Sequence, residues 1–434
     1  MTYHTSILAN FASRLRLALA IVCLASAPVD VVDVLGDVRT FHLTPFLLFS
    51  MLYVLVLVLE QVTKTALGSS PSSLRWFDST TAAAALFVLM IWASVLFLSS
   101  DTRNLAFNRA IYTTWLIFFA RLFVAREEPH LPKIIAWALR IFLISDLVAV
   151  TVQLLFAFNG WPVPGFIYGL AMLKVADLLR PGGLVNDPNR SSIMLILFMG
   201  LAFLSKRYLP SGARVGRGFY ILGVLLALLT ISRTGAVALA IFAGIAFTQS
   251  QRKFKVFASS LLIVGGIGVL GLLYLTATGG LSPVVNQAQL VLVSSDTRIE
   301  STSIHFQSIA NGTGEFLGNP KIFLLGAGWG TEYDFQFIKH TFPGATLGGF
   351  DCEAVSIAVQ TGVIGLACIL FLMLKPLLLK TEWAPLTLVI LWSCIFYQYH
   401  GDPFWWIALM IMDTPRRAGR PQERISMPAV LARA

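Results

Sequence analysis

The sequence predicts an all-α polytopic membrane protein of about twelve transmembrane helices, with two long outer loops that contain short helices. Composition is the first ground. Of 434 residues, 56% are hydrophobic and 12% charged, and the mean hydropathy is +0.76. A soluble domain carries about 25% charged residues, so this chain has too few ionic groups to cover a water-facing surface. The second ground is that the apolar residues come in uncharged runs close to the ~20 needed to cross a bilayer core as a helix. Lipid-exposed segments must pair their backbone internally, and apolar residues fill both faces of every run, so helices are expected rather than barrel strands. The third ground is that Lys and Arg sit mainly in the short connections between runs.

In chain order the runs fall near 15–29, 42–60, 80–98, 105–124, 134–156, 191–205, 218–231, 235–250, 256–277, 353–374, 384–399 and 403–414. Arg14 and Arg16 precede a short apolar stretch of the first run that ends in Ala25-Ser26-Ala27, which resembles a signal peptidase site. We expect a retained first helix, and either reading puts Asp30 outside. Alternate connections carry Arg14/Arg16, Lys64/Arg75, Arg126/Lys133, Lys206/Arg207/Arg214/Arg217, Arg252/Lys253/Lys255, Lys375/Lys380 and Arg416/Arg417/Arg420/Arg424. These clusters all fall on one side if twelve helices leave both termini in the cytoplasm. One polytopic domain over 1–415 and a basic cytoplasmic tail over 416–434 follow. The outer segments 157–190 and 278–352 are too long to be turns, and long ordered loops are usually functional. The second alternates apolar and polar stretches, as short amphipathic helices lying on the membrane would.

The formal net charge of +10 does not signal nucleic acid, because the cations are accounted for by the inner connections. Cys23, Cys352, Cys368 and Cys394 are scattered with no zinc or CxxC spacing, so neither a metal site nor a disulfide framework is expected. No internal repeat stands out, which weakens an inverted-repeat transporter reading.

Several outer residues are out of place as lipid-facing groups or plain linkers. Between Arg217 and Arg252 the chain supplies only about 50 Å of helix, too little for two crossings of a ~30 Å core. The hairpin LLTISRTGAVA is therefore expected to turn inside the outer leaflet with Arg233 at its tip. A guanidinium there must snorkel or meet an anion, and its planar fork suits a diphosphate. The first long segment ends in LLRPGGLVNDPNRSS, where Pro181, Gly182, Gly183 and Pro188 break a helix and Arg180 and Arg190 flank the turn. A turn capped by Asn189 or Ser191 accounts for the polar residues but not for two arginines on an outer loop.

In the second segment, SSDTRIESTSIHFQSIA reads as a helix start with Asp296 as N-cap. Arg298, Thr302 and His305 share one face of it, either solvated or part of a site. In LLGAGWGTEYD, Gly326, Gly328 and Gly330 alternate; the pattern is not GxGxxG and follows no βαβ unit, so close backbone packing or positive φ is expected rather than nucleotide binding. GGFDCEAVSIAVQTGVIG places Asp351 and Glu353 at the mouth of a long apolar helix, as caps or as a general base. Arg140, Asp146 and Gln153 are spaced for one helix face and read as structural glue. Tyr397, His400 and Asp402 lie at another outer helix end, followed by the interfacial aromatics Phe404, Trp405 and Trp406.

Together these segments resemble the O-antigen ligase and polymerase superfamily of bacterial envelope polysaccharide assembly. The likeness rests on RPGGLVNDPNR, TISRTGAVAL, the stretch around Arg298 leading into LLGAGWG, and the acidic helix opening before Gly362 and Gly365, in that order over about residues 180–365. The resemblance implies glycan transfer from a polyprenyl diphosphate at the periplasmic face of the inner membrane, with no cofactor, no metal and no sugar nucleotide. It implies that Arg180, Arg233 and Arg298, with Arg190 beside them, hold the diphosphate; an acceptor hydroxyl must also lose its proton as it attacks the anomeric carbon, which suits Asp351, Glu353 or His305. The ligase branch carries a His-Asn pair where this chain has Asp351 and Cys352, which favours the polymerase branch. The implied partners are a polyprenyl-diphosphate-linked oligosaccharide, membrane lipids, and a chain-length regulator and flippase of the same pathway. An O-antigen-type ligase, and a lipid-linked oligosaccharide flippase or transporter, are the alternative readings.

Overall fold

The computed structural model describes residues 2–30, 44–66, 78–96, 100–159, 173–175, 178–185, 187–230, 232–248, 295–331, 350 and 352–414. For some of these, including 173–175, 178–180, 233 and 295–305, the backbone alone is described. The helices in chain order are α1 (Thr2–Ser26), α2 (Pro45–Ala66), α3 (Ser79–Leu96), α4 (Ser100–Glu127), α5 (Leu131–Asn159), α6 (Pro188–Ser205), α7 (Arg217–Leu229), α8 (Arg233–Thr248), α9 (Ser295–Gly318), α10 (Pro320–Leu325), α11 (Glu353–Leu378), α12 (Ala384–Phe396) and α13 (Pro403–Met412). Between α5 and α6 a short hairpin pairs β1 (Leu173–Val175) antiparallel with β2 (Leu178–Arg180), Leu173 opposite Arg180. The expected helix at 256–277 and the tail at 416–434 lie outside the described residues, as do much of the two long loops.

Six stretches among the described residues are long and apolar enough to cross a membrane: Pro45–Thr65, Ser79–Leu96, Leu131–Phe156, Pro188–Tyr208, Ser211–Leu229 and Glu353–Leu378. Their outer surfaces fit that reading. On α2, Leu55, Val58, Leu59 and Val62 are each more than half exposed, a continuous apolar face that water would not tolerate. At the centre lies α6, 83% of whose membrane-length stretch is buried, against 39% for α2. Phe198 on α6 packs on Phe404 of α13 and Phe142 of α5, with ring centroids 4.7 and 5.8 Å apart.

Three helices begin with the same local grammar. Asp187-Pro188, Asn319-Pro320 and Asp402-Pro403 open α6, α10 and α13, each Asx side chain accepting two backbone N–H groups of the first turn. Proline at the first helical position sacrifices no hydrogen bond and arrives with helical φ. The expected cap of α6 at Asn189 or Ser191 is corrected by this: Asp187 caps it, with Asn189 N at 2.7 Å and Arg190 N at 3.0 Å. Asp296, the expected cap of α9, lies inside that helix, which starts one residue earlier. The first helix also runs longer than its apolar core, from Thr2 rather than residue 15, because polar residues can continue a helix beyond the apolar stretch.

Charged residues collect at one end of the bundle. Glu60 and Glu127, near the C-termini of α2 and α4, are without solvent exposure and flank Arg16 of α1. Lys64 and Arg126 add to Glu60 at 2.6 and 3.4 Å, and the Tyr53 hydroxyl donates to Glu127 at 2.8 Å. At the same end, Arg121 of α4 meets Asp78 before α3 at 2.6 Å, and Lys375 of α11 meets Asp413 at 2.7 Å and contacts Thr80. Glu382 after α11 is paired with Arg207 and Tyr208 after α6. Ion pairs thus link the ends of α2 and α4, of α6 and α11, and of α11 and α13, and the start of α3 joins them through Asp78 on Arg121 and Thr80 on Lys375.

Candidate functional site

At the opposite end, the turn after β2 is held from below by α5. Gly183, at φ +67°, donates to Gln153 Oε1 at 2.9 Å and its carbonyl accepts from Gln153 Nε2 at 2.7 Å. Leu184 N–H donates to Asp146 Oδ1 at 2.8 Å. A Cβ at Gly183 would lie 2.0 Å from that carboxylate, so the turn requires glycine for space as well as for φ. The polar residues of α5 therefore do act as structural glue, although they divide their work: Arg140 reaches the Ala213 and Arg214 carbonyls instead. Leu184 O accepts from Asp30 N–H at 3.2 Å, bringing the segment after α1 alongside.

Arg190, in the first turn of α6, spans two carboxylates. One terminal nitrogen lies 3.1 Å from Asp30 Oδ2 and the other 2.9 Å from Asp402 Oδ2. Asp402 is 3% exposed and also caps α13 through Phe404 N and Trp405 N. Burial pushes its carboxyl above the ordinary range, against the pull of Arg190 and of those N–H donors. Arg190 was expected to hold diphosphate. In this structure its terminal nitrogens lie against two aspartates, and these contacts tie the segment after α1, the start of α6 and the start of α13 together.

The glycine-rich loop answers a break in α11. Gly362 has φ +73°, which takes α11 out of helical geometry after Thr361. The Val359 and Gln360 carbonyls that the break strands accept from Ala327 N at 2.7 Å and Gly328 N at 3.2 Å. The loop can approach that closely only without side chains. A Cβ at Gly326 would lie 2.1 Å from the Gln360 carbonyl oxygen, and one at Gly362 2.5 Å from that of Leu324. Gly326, Gly328 and Gly330 all have positive φ, as their alternation suggested. Gln360 Oε1 then accepts from Gly330 N at 2.5 Å, Arg109 of α4 donates to Gly330 O at 3.0 Å, and Trp329 is buried with its indole N–H on Thr113 at 3.2 Å.

Glu353, the first residue of α11, has no solvent exposure. Its Oε2 accepts from Tyr399 N at 2.6 Å, and His400 Nδ1 stands 3.3 Å from each carboxylate oxygen. Tyr399 and His400 belong to the tight turn between α12 and α13, closed by Asp402 N donating to Tyr399 O at 2.7 Å. The His400 ring meets Trp329 edge-on, centroids 4.8 Å apart, and its carbonyl accepts from the Trp406 indole at 2.8 Å. Glu353 thus does more than favour a helix N-terminus: it grips a turn 46 residues away.

These contacts bring together segments that the sequence keeps far apart. The α6 start touches α8, where a Cβ at Gly235 would lie 2.1 Å from Ser192 Oγ, and Arg233 opens α8 two residues before. The α6 start touches the 399–402 turn through Arg190 and Asp402, and that turn touches α11 through Glu353. The glycine-rich loop lies on α11. Arg298 and His305 are carried by α9, whose later part packs on α11 at Gly312, where a Cβ would lie 2.4 Å from Val355. Arg180 closes β2, one residue before the turn that α5 clamps. The side chains of Arg180, Arg233, Arg298 and His305, and the whole of Asp351, lie outside the described residues.

Sequence reasoning missed Arg109, Gln360 and the Asp30–Arg190 pair. The signal for the first two was present as polar residues inside or beside apolar runs, which are costly there unless partnered. No protein-family model matches the chain, and no curated protein matches it.

Proposed function

We propose that the chain is a polymerase of a bacterial surface or secreted polysaccharide, a metal-independent glycosyltransferase that joins polyprenyl-diphosphate-linked repeat units. It sits in the inner membrane as a bundle of about twelve helices with both termini cytoplasmic, and the chemistry takes place at the periplasmic face. The observation that carries this reading is the meeting of four separated segments at one end of the bundle: the Arg180–Arg190 turn, the Arg233 helix start, the glycine-rich loop and the Glu353 helix opening. The ion pairs of Arg16, Lys64 and Arg126 stand at the other end, beside the Lys- and Arg-bearing connections that the positive-inside pattern assigns to the cytoplasm.

In the proposed reaction a glycan on polyprenyl diphosphate is the donor and a second lipid-linked unit the acceptor. Departure of the diphosphate needs its developing charge stabilised, and guanidinium groups do that without a metal. Arg233, Arg180 and Arg298 take this role; Arg190 supports it by fixing the start of α6. Asp351, Glu353 and His305 are the proton acceptors expected from sequence, and of these Glu353 is closed off from solvent by the 399–402 turn. Displacement in one step inverts the anomeric carbon.

A transporter of lipid-linked glycans is the second reading, and the broken α11 favours it, since discontinuous membrane helices often form transport sites. The carbonyls freed by that break are already taken by the glycine-rich loop, which leaves them no substrate to hold. An Arg233→Ala chain present in the membrane at normal level is expected to abolish long polymer, while normal chain lengths would remove Arg233 from the mechanism.

A further inference from the structure

We infer that His400 is the catalytic residue that takes the proton of the acceptor hydroxyl, and that Glu353 is its positioning carboxylate; this deepens the polymerase reading and rests on it. A proton acceptor must come within hydrogen-bond reach of the hydroxyl it activates. Glu353 is fully enclosed, whereas the His400 side chain keeps 17% of its surface exposed. The carboxylate holds the Nδ1 side of the ring, at 3.3 Å from both oxygens. A proton retained on Nδ1 makes Nε2 the basic nitrogen, so the carboxylate selects the tautomer that acts as a base. The ring cannot swing away freely, because three separate elements fix the turn that carries it. Glu353 of α11 accepts from Tyr399 N–H, Trp406 of α13 donates to His400 O, and Arg190 of α6 holds Asp402. Trp329 of the glycine-rich loop lies against one edge. A base held in this way loses little in reorganisation when the hydroxyl arrives.

The step balances without any further reactant. The acceptor oxygen forms its bond to the donor's anomeric carbon as its proton passes to His400 Nε2. The bond from that carbon to the diphosphate oxygen breaks, and its electron pair leaves with the polyprenyl diphosphate. The imidazolium beside Glu353 then returns its proton to water.

The test uses the purified full chain in lipid nanodiscs with a polyprenyl-diphosphate-linked oligosaccharide as donor and acceptor. His400→Gln keeps a hydrogen-bonding group opposite Glu353 but no base. It should melt within a few degrees of wild type, hold KM within about threefold, and lose kcat by about 100-fold or more. His400→Gly should regain part of its kcat in added imidazole, a rescue that a packing role for the ring would not give. Glu353→Gln should lower kcat, and combined with His400→Gly it should abolish the imidazole rescue. If wild type polymerises and His400→Gln stays within about threefold of its kcat, His400 is not the base and the polymerase reading stands. Wild-type chain that makes no polymer overturns both.

Discussion

Arg190 and Asp402 are 212 positions apart in the chain and meet at 2.9 Å, with Asp30 on the guanidinium's other arm. One arginine thereby fixes the relative positions of three chain segments at the end of the bundle where the candidate site lies. Removing it leaves Asp402 buried without its counter-charge. Because the pair is partly open to solvent on the arginine side, the expected loss for Arg190→Ala is about 3 kcal/mol, at the low end for a broken buried pair. Pairing the change with Asp402→Asn should recover part of that loss. Thermal unfolding of the detergent-solubilised variants measures both, and an unaltered melting curve for Arg190→Ala would show that the tie contributes nothing.

The glycine contacts at the α11 break make a sharper steric claim. Gly362→Ala places a Cβ against the Leu324 carbonyl at a backbone φ that L residues rarely adopt, and should destabilise by more than about 1 kcal/mol. Gly314 of α9 meets open space at the same substitution, and Gly314→Ala should be neutral or gain up to about 1 kcal/mol from helix propensity. Melting temperatures of the two variants, taken side by side, decide it; equal shifts would mean the break is not held by the loop.

Contact between α6 and α8 can be tested by compensation. A methyl at Gly235 collides with Ser192, so Gly235→Ala should reduce polymer formation by displacing the start of α8 that carries Arg233. Ser192→Gly removes both atoms in the way and should restore it in the double variant. Polymer length on a gel from cells expressing each variant at matched levels is the readout. Failure of the second change to rescue the first would separate the two helix starts.

The ion pairs of α1 give the expectation of a retained first helix a testable consequence. Arg16 lies between the unexposed Glu60 and Glu127, so Arg16→Ala strands buried carboxylate charge and should cost about 3–5 kcal/mol. Arg14, two residues earlier, is exposed, and Arg14→Ala should change stability by no more than about 0.5 kcal/mol. An N-terminal tag should remain on the membrane-bound chain, as immunoblotting would show; a cleaved tag together with full stability of Arg16→Ala would contradict this.

Much of the helical plan was legible because long uncharged runs are a strong signal, and α2, α3, α5, α6 and α11 fall close to where those runs lie. Helix ends were less so, since Thr2–Arg14 of α1 and the start of α4 are polar enough to hide a continuing helix. The grouping of Gly326, Gly328 and Gly330 announced an unusual backbone, but not that its partner was a break at Gly362 thirty-odd positions later. Composition could not say which carboxylate meets which arginine, because Asp30, Arg190 and Asp402 become neighbours only through tertiary packing. For the same reason Arg190 read as an anion ligand from sequence and is found between two aspartates.

The proposed activity is tested most directly by reconstituting the purified chain into vesicles with a single polyprenyl-diphosphate-linked repeat unit as the only glycan. The expected result is a ladder of longer lipid-linked products, with one polyprenyl diphosphate released for each linkage made. Movement of the intact unit across the bilayer with no product longer than the starting material would contradict a polymerase and point to a transporter.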